Sequence, residues 1–500
     1  MPGVAKTLEA GYMKIAKRYS YVHANRALVD AEKTLIRGDL NLAWDDEQVV
    51  RWCKKRADEV AHIVATFSCE ASQVMQVLKI LAVYDLEFPD RQVDLFGYGP
   101  ALRRCSCEQW WRRQVRVLQA REVEEMARSW RLVHDKGQIY CSHNTVNRRR
   151  AQKVRNAKLL SQLNATNQVG QEYLLSELAD LQVSNPKIRR SELMVRMRGF
   201  EDLAESQGKV GEFYTITCPS KYHSTKIGGI PNGKWNGVTV REANDYLVNV
   251  FSRIRAAVDR AGIETFGFRV AEPNHDGCPH WHILIFVDPG SVGELRRIYS
   301  HYALKEDYGE WEKPANRFEA IAIDPERGSA TGYIAKYISK NIDGDQFPGA
   351  ERFGRDCDFY GHDKDSSAVR VAAWAACHGI RQFQQIGGPS VTVWRELRRL
   401  SEPDSPAPGM IEQCRQAADS ANWAAFCVLM GSGRGQALQI ARAADIDHAT
   451  GECLSPVYNR YGEPAVDRIV GLTGDCEKVI TRLWTWTVER LTTAVKQVKT

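Results

Sequence analysis

Residues 264–287 read ETFGFRVAEPNHDGCPHWHILIFV. Two runs rich in aromatic and β-branched residues flank the polar segment NHDG, the composition of a strand, a turn and a second strand. Side chains alternate along an extended strand, so His280 and His282 share one face. A turn at 274–277 brings Glu272 opposite or nearly opposite His280, with cross-strand Cβ atoms about 5 Å apart. Two imidazoles and one carboxylate then converge with coordination positions to spare. That donor set suits a divalent metal that must also hold a substrate oxygen. His275, in the turn, is a rival third ligand. Two strand histidines and a turn glutamate without any metal is the plainer alternative, and these residues alone leave it open.

The flanking chain extends this hairpin into a layer. EFYTITC (212–218) and RFEAIAID (317–324) read as strands, and GIRQFQQIG (379–387) as a further one. Between them lie helical patterns. TVREANDYLVNVFSRIRAAVDRAG (239–262) opens on a Thr239/Glu242 capping box and closes on Gly262. SVGELRRIYSHYAL (291–304) and SATGYIAKYISKN (329–341) follow. Strands interleaved with helices and joined by a hairpin predict an α+β fold, a central antiparallel sheet backed by helices. Upstream the chain reads as mostly helical, as in AWDDEQVVRWCKKRADEVAHIVATF (43–67). SEPDSPAPGM (401–410) reads as a linker, and the remainder as helical. The expected organisation is a helical region over 1–205, an α+β domain over 206–400, a linker over 401–410 and a helical region over 411–500.

GYIAKYISKN (332–341) sets Tyr333 and Tyr337 four residues apart, each followed three residues on by a lysine, Lys336 and Lys340. On a helix these positions are neighbours. Amphipathic packing explains the pattern as well as a pair of phenol nucleophiles beside phosphate-binding cations does.

The combination FYTITCPSKYH, EPNHDGCPHWHILIF and GSATGYIAKYISKNIDG, in that order, resembles the HUH endonuclease superfamily. It is most similar to the phage replication gene A proteins, two-tyrosine initiators of rolling-circle replication. The resemblance extends to NPKIRRSELMVRMRGFE upstream and to GIRQFQQIGGPSVTVWRELRRL and NRYGEPAVDRIVGL downstream, about residues 100–475 in all. It implies the HUH fold, with Tyr333 and Tyr337 as nucleophiles and Lys336 or Lys340 favouring phenolate or clamping a phosphate. Mg2+ or Mn2+ would be held by His280, His282 and Glu272. It implies nicking of single-stranded origin DNA through a 5′-phosphotyrosine link, leaving a 3′-OH primer for a host DNA polymerase. A host helicase would open the duplex, since no G-x-x-x-x-G-K-[ST] loop is present and GSGRGQAL lacks its lysine and hydroxyl. The same chemistry also serves plasmid initiators, relaxases and single-strand transposases. A hydrolytic metallophosphodiesterase and a non-catalytic origin-binding protein are the readings from other classes.

Composition bounds these readings. At 43% hydrophobic and 26% charged over 500 residues the chain is globular, not disordered. No apolar run approaches the ~18 residues of a membrane span, and the first residues lack a secretory h-region. Thirteen scattered cysteines fit reduced thiols in a cytoplasm, which the resemblance implies is that of a bacterial host. A net charge of +6 permits a nucleic-acid partner without arguing for one. Local clusters say more. Arg148, Arg149, Arg150, Lys153, Arg155 and Lys158 fall in a stretch free of acid. They are expected to meet backbone phosphates, with Trp110 and Trp111 available to stack on bases. A solvated basic helix is the equally simple reading. Cys105, Cys107, Cys141 and His143 make only a loose zinc-like set.

Overall fold

The computed structural model describes residues 2–90, 93–307, 316–326, 328–342, 364–401, 409–431, 435–443, 458–464, 467–474 and 478–491. Its first half is built from helices, chiefly α1 (Pro2–Arg18), α2 (Tyr21–Leu35), α3 (Asp46–Thr66), α4 (Glu108–Ser129), α5 (His143–Leu160) and α6 (Pro186–Ser206). Helix α3 starts where Asp45 and Gln48 cap one another reciprocally, a motif worth about 1 kcal/mol. Its apolar stripe, Val49, Trp52, Cys53, Ala57 and Val60, is buried. Trp52, Tyr84 and Trp111 pack there edge to face. Trp111 is fully buried and donates its indole N–H to the Cys105 carbonyl at 2.7 Å, while Trp110 is 7% exposed. These two indoles therefore fill the helical core. The expectation that they stack on bases is corrected, because neither face is open to a ligand.

The centre of the molecule is a five-stranded sheet. Its strands are β1 (Val210–Thr217), β2 (Phe266–Pro273), β3 (Pro279–Val287), β4 (Phe318–Ala322) and β5 (Phe383–Ile386), in the order β4-β1-β3-β2-β5. Every neighbouring pair is antiparallel. Helices α7 (Val240–Arg260), α8 (Val292–Leu304), α9 (Ala330–Ile342) and α10 (Lys364–His378) alternate with the strands, so the fold is α+β. Both faces of the sheet are covered, which is why HILIFV runs apolar without alternation. On one face Tyr214, Ile216, Trp281, Ile283 and Ile285 meet α7, α8 and α10. Helix α7 is fixed by the Thr239/Glu242 capping box and buries Ala243, Leu247, Val250, Phe251, Ile254 and Val258. On the other face Phe213, Phe268, Val270, Leu284 and Phe286 meet α6, α9 and helices between 391 and 430. The packing around the sheet thus draws on residues on both sides of positions 206 and 400.

The C-terminal region departs from the helical expectation. After helices Met410–Asp419 and Trp423–Met430, strands Gln439–Ala443, Arg468–Thr473 and Lys478–Ile480 form a small sheet of their own. Strand Trp486–Arg490 pairs with Leu163–Asn167, which pairs in turn with Glu172–Leu174. These runs are too short to declare a period, and the partner that stabilises the last lies more than three hundred residues earlier. Residues 402–408 of the expected linker lie outside the described residues. Among the described residues no helix is long and apolar enough to cross a membrane.

Candidate active site

Strand register builds the site. Glu272, His280 and Thr217 form one row across β2, β3 and β1, and Val270, His282 and Thr215 form the next. The tight turn closes because Gly277 adopts φ +83, and a Cβ there would lie 3.0 Å from the Tyr140 carbonyl. Asp276 braces the turn, accepting from Ser224 N at 2.8 Å and Cys278 N at 3.1 Å. The Nε2 atoms of His280 and His282 are 2.9 Å apart, and Glu272 Oε2 lies 4.0 and 3.8 Å from them.

Among the described residues this is the one group of three or more His, Cys, Asp or Glu whose donor atoms all lie within 4.8 Å of one another. The residues fit a divalent cation. Donors about 2.9 Å apart match neighbouring positions around an ion with ~2.1 Å bonds, and a carboxylate only 1% exposed faces the two imidazoles. His275 is not in the group; it is buried in the turn, near Asp276, His223 and Asp135. Nor do Cys105 and Cys141 come together, since they belong to different cores.

The outer contacts orient His282. Its Nδ1 lies 3.1 Å from Thr215 Oγ1, so an Nδ1–H donated to the hydroxyl leaves Nε2 with its lone pair towards Glu272. The ring stacks on Phe213 at 5.5 Å, and Tyr337 lies against it with centroids 4.2 Å apart. Tyr337 is also stacked on Phe213, at 5.5 Å and 19°. Burial first, then the negative charges of Glu272 and Glu319, push the Tyr337 phenol above its ordinary pKa of 10. Tyr333, one turn earlier on α9, is 36% exposed and 6.1 Å from Phe213. Helix α9 is seated by Ala330, Ile334 and Ile338 in the apolar layer. Its first N–H, of Ala330, donates to the Glu201 carboxylate at 2.6 Å, an anion at a helix N-terminus.

The sequence profile of the bacteriophage replication gene A protein (GPA) family matches residues 53–345. The chain belongs to that family. It is 41% identical over 399 residues to the replication gene A protein of Escherichia phage 186, covering 78% of this chain and 56% of that protein. It is 36% identical over 411 residues to the replication protein of Haemophilus phage HP1, covering 80% and 50%. It is also 37% identical over 303 residues to a "probable replication endonuclease from prophage-like region" of Salmonella paratyphi A, covering 60% and 37%. The chain thus spans about half the length, or less, of these relatives. No solved structure matches it.

In this gene A family chain the other expected residues do not belong to that cluster among the described residues. The side chains of Lys336 and Lys340 lie outside the described residues. On α5, Arg150, Lys153, Arg155 and Lys158 are exposed and Arg149 half-buried. Arg148 turns inward to Gln119 Oε1 at 3.2 Å and to the Arg116 carbonyl. Sequence reasoning missed Phe213 and Glu201. The signal for Phe213 was present, since it sits two residues before Thr215 on the same face; Glu201 comes from a distant helix and left none.

Proposed function

We propose that this chain nicks one strand of a replication origin by tyrosine transesterification and leaves a 3′-OH primer for rolling-circle replication. The observation that carries this reading is the Tyr337 ring lying 4.2 Å from the ring of His282, beside the Glu272/His280/His282 cluster. The names of the relatives, replication proteins and a replication endonuclease, support the biological setting.

The chemistry follows from the residues. Tyr337 Oη, losing its proton, attacks the phosphorus; the P–O3′ bond breaks, the 3′ oxygen takes up a proton, and the 5′ phosphate stays on the tyrosine. His280, His282 and Glu272 would hold Mg2+ or Mn2+, which when bound polarises a phosphate oxygen and offsets negative charge on the leaving oxygen. Thr215 and Phe213 fix the His282 ring. Tyr333 and Tyr337 lie about 6 Å apart along the helix axis at 1.5 Å per residue. One can therefore hold a 5′ end while the other engages a regenerated origin. Because energy is conserved in the phosphotyrosine bond, the nick can be resealed. The exposed cations of α5 meet backbone phosphates, and the work is done on single-stranded origin DNA in the host cytoplasm, with a host helicase and polymerase.

The test is incubation with single-stranded origin DNA labelled 3′ of the nick, in Mn2+ or Mg2+, read on a denaturing gel. A labelled band at protein mass is expected, lost with chelator and in the Tyr333→Phe/Tyr337→Phe variant. Cleavage without an adduct, unchanged in that variant, would overturn the nucleophile assignment in favour of hydrolysis.

A further inference from the structure

A cavity of about 260 Å³ opens between the end of α1, the start of α2 and the end of α4, lined by none of the metal-ligand residues. Lys14, Arg18, Tyr19, His23, Trp130 and Arg131 line it. Among the described residues no carboxylate pairs with Lys14, Arg18 or Arg131. Lys14 Nζ donates to the Arg131 carbonyl and lies 3.2 Å from His134 Nε2, and Arg131 donates to Tyr19 Oη at 2.8 Å. Arg18 and Arg131 both approach the Tyr19 ring, at 5.7 and 5.9 Å. Burial, then repulsion from Arg131 and Arg18, lowers the Lys14 pKa, as expected of cations crowded without a counter-charge.

Two local costs are accepted to build this cavity. Arg131 follows the end of α4 at φ +57, closing it with Leu132 N to Ala127 O at 2.9 Å. Glycine is the usual residue there, and a side chain costs about 1–2 kcal/mol. Gly11 lies inside α1, where it costs about 1 kcal/mol against alanine. A Cβ at that position would lie 1.7 Å from Trp130 Cε3, so its absence lets the indole lie against the helix. The guanidinium of Arg131 and the placement of Trp130 are what these costs provide.

We propose that this cavity binds a nucleotide phosphate, held among Lys14, Arg18 and Arg131, with the base against Trp130. Its volume lies just under the ~300–1,000 Å³ of small-molecule sites, which suits one nucleotide and not a duplex. Its placement favours a nucleotide of the DNA strand on which the chain acts. His134, bonded to Lys14, lies against Gly229 in the loop after β1, and Asp135 accepts from Gly228 N at 2.7 Å. His275 of the hairpin turn is a further electrostatic neighbour of His134. The cavity is thus tied to the end of the sheet that carries Glu272 and His280. This assignment rests on the DNA-acting reading above.

The test uses the full chain with chelator present, so that binding is read without cleavage. Probes are a deoxynucleoside monophosphate, by calorimetry, and a fluorescent single-stranded oligonucleotide, by anisotropy over a salt series. Arg131→Gly relieves the left-handed backbone, so the melting temperature should not fall. Arg18→Ala/Arg131→Gly is expected to weaken oligonucleotide binding about tenfold and to flatten the log K against log salt slope by about 0.7–1.4, one or two phosphate contacts. Unchanged affinity and slope for both probes would overturn the proposal. Loss of mononucleotide binding alone would keep the phosphate site and assign it to a free nucleotide. A wild-type protein that forms no covalent adduct would sink the nicking reading instead, without touching this binding result.

Discussion

Replacing Thr215 with valine isolates one contact of the metal-ligand cluster. The hydroxyl lies 3.1 Å from His282 Nδ1, and valine keeps the β-branched shape that suits strand β1. Partners that orient a metal-binding histidine are typically worth about 10–100-fold in metal affinity. Here the ring still packs on Phe213 at 5.5 Å and on Tyr337 at 4.2 Å, so its orientation is only partly released. The loss should fall at the low end, about tenfold or ~1.4 kcal/mol. Calorimetric titration of Mn2+ into metal-free Thr215→Val protein measures it, with the thermal midpoint as a check on folding. A dissociation constant within about twofold of wild type would refute the claim that Thr215 orients the ligand. The hydroxyl would then be free to serve substrate or merely the strand.

Glu272→Gln keeps the shape of a side chain that is 1% exposed and removes its charge, so each protein is melted metal-free as its own baseline. Wild type should gain about 2.7 kcal/mol at Mn2+ a hundredfold above its dissociation constant, and the variant almost none; equal gains in a melting assay would remove Glu272 from the ligand set. Trp111→Ala should cost about 3–5 kcal/mol in chemical denaturation, because the indole is fully buried among Trp52, Tyr84 and Trp110. Asp276 and His223 approach to 3.2 Å in the hairpin brace. Burial opposes the charged ring, but the Asp276 carboxylate outweighs it and raises the His223 pKa well above its ordinary 6.5, while His223 depresses Asp276 below 3.8. The histidine's share of stability is therefore complete below pH 6.5 and lost as pH rises through its raised value. The aspartate's share is present above pH 3.8 and lost on acidification through its lowered one. A pH series of melting temperatures should show the alkaline decline in wild type and not in His223→Gln; identical alkaline limbs would contradict the pairing.

What could be read from the sequence was what is local. The row of Glu272 and His280 follows from a four-residue turn and strand alternation, and helix α7 from Thr239, Glu242 and an apolar stripe. What was hidden depends on partners far along the chain. Trp110 and Trp111 beside arginines look like a stacking surface until Trp52 and Tyr84 close over them. Strand Trp486–Arg490 has no signal apart from Leu163–Asn167, which it meets across most of the chain. Glu201 serves α9 only because α6 packs on the same face of the sheet.

The pairing of strand Trp486–Arg490 with Leu163–Asn167 has a consequence for how the chain is made. About 320 residues separate Asn167 from its partner Trp486, and Arg104 waits longer still, 359 residues, for Glu463. At ~5–20 residues per second a ribosome needs roughly 16–64 s to cover the first of these distances. For that interval Leu163–Asn167 has Glu172–Leu174 on one side and an open edge on the other, the kind of edge that invites the wrong neighbour. Until residue 490 has emerged that edge stays uncovered, a place for a chaperone to bind and for a sibling chain on the same polysome to pair.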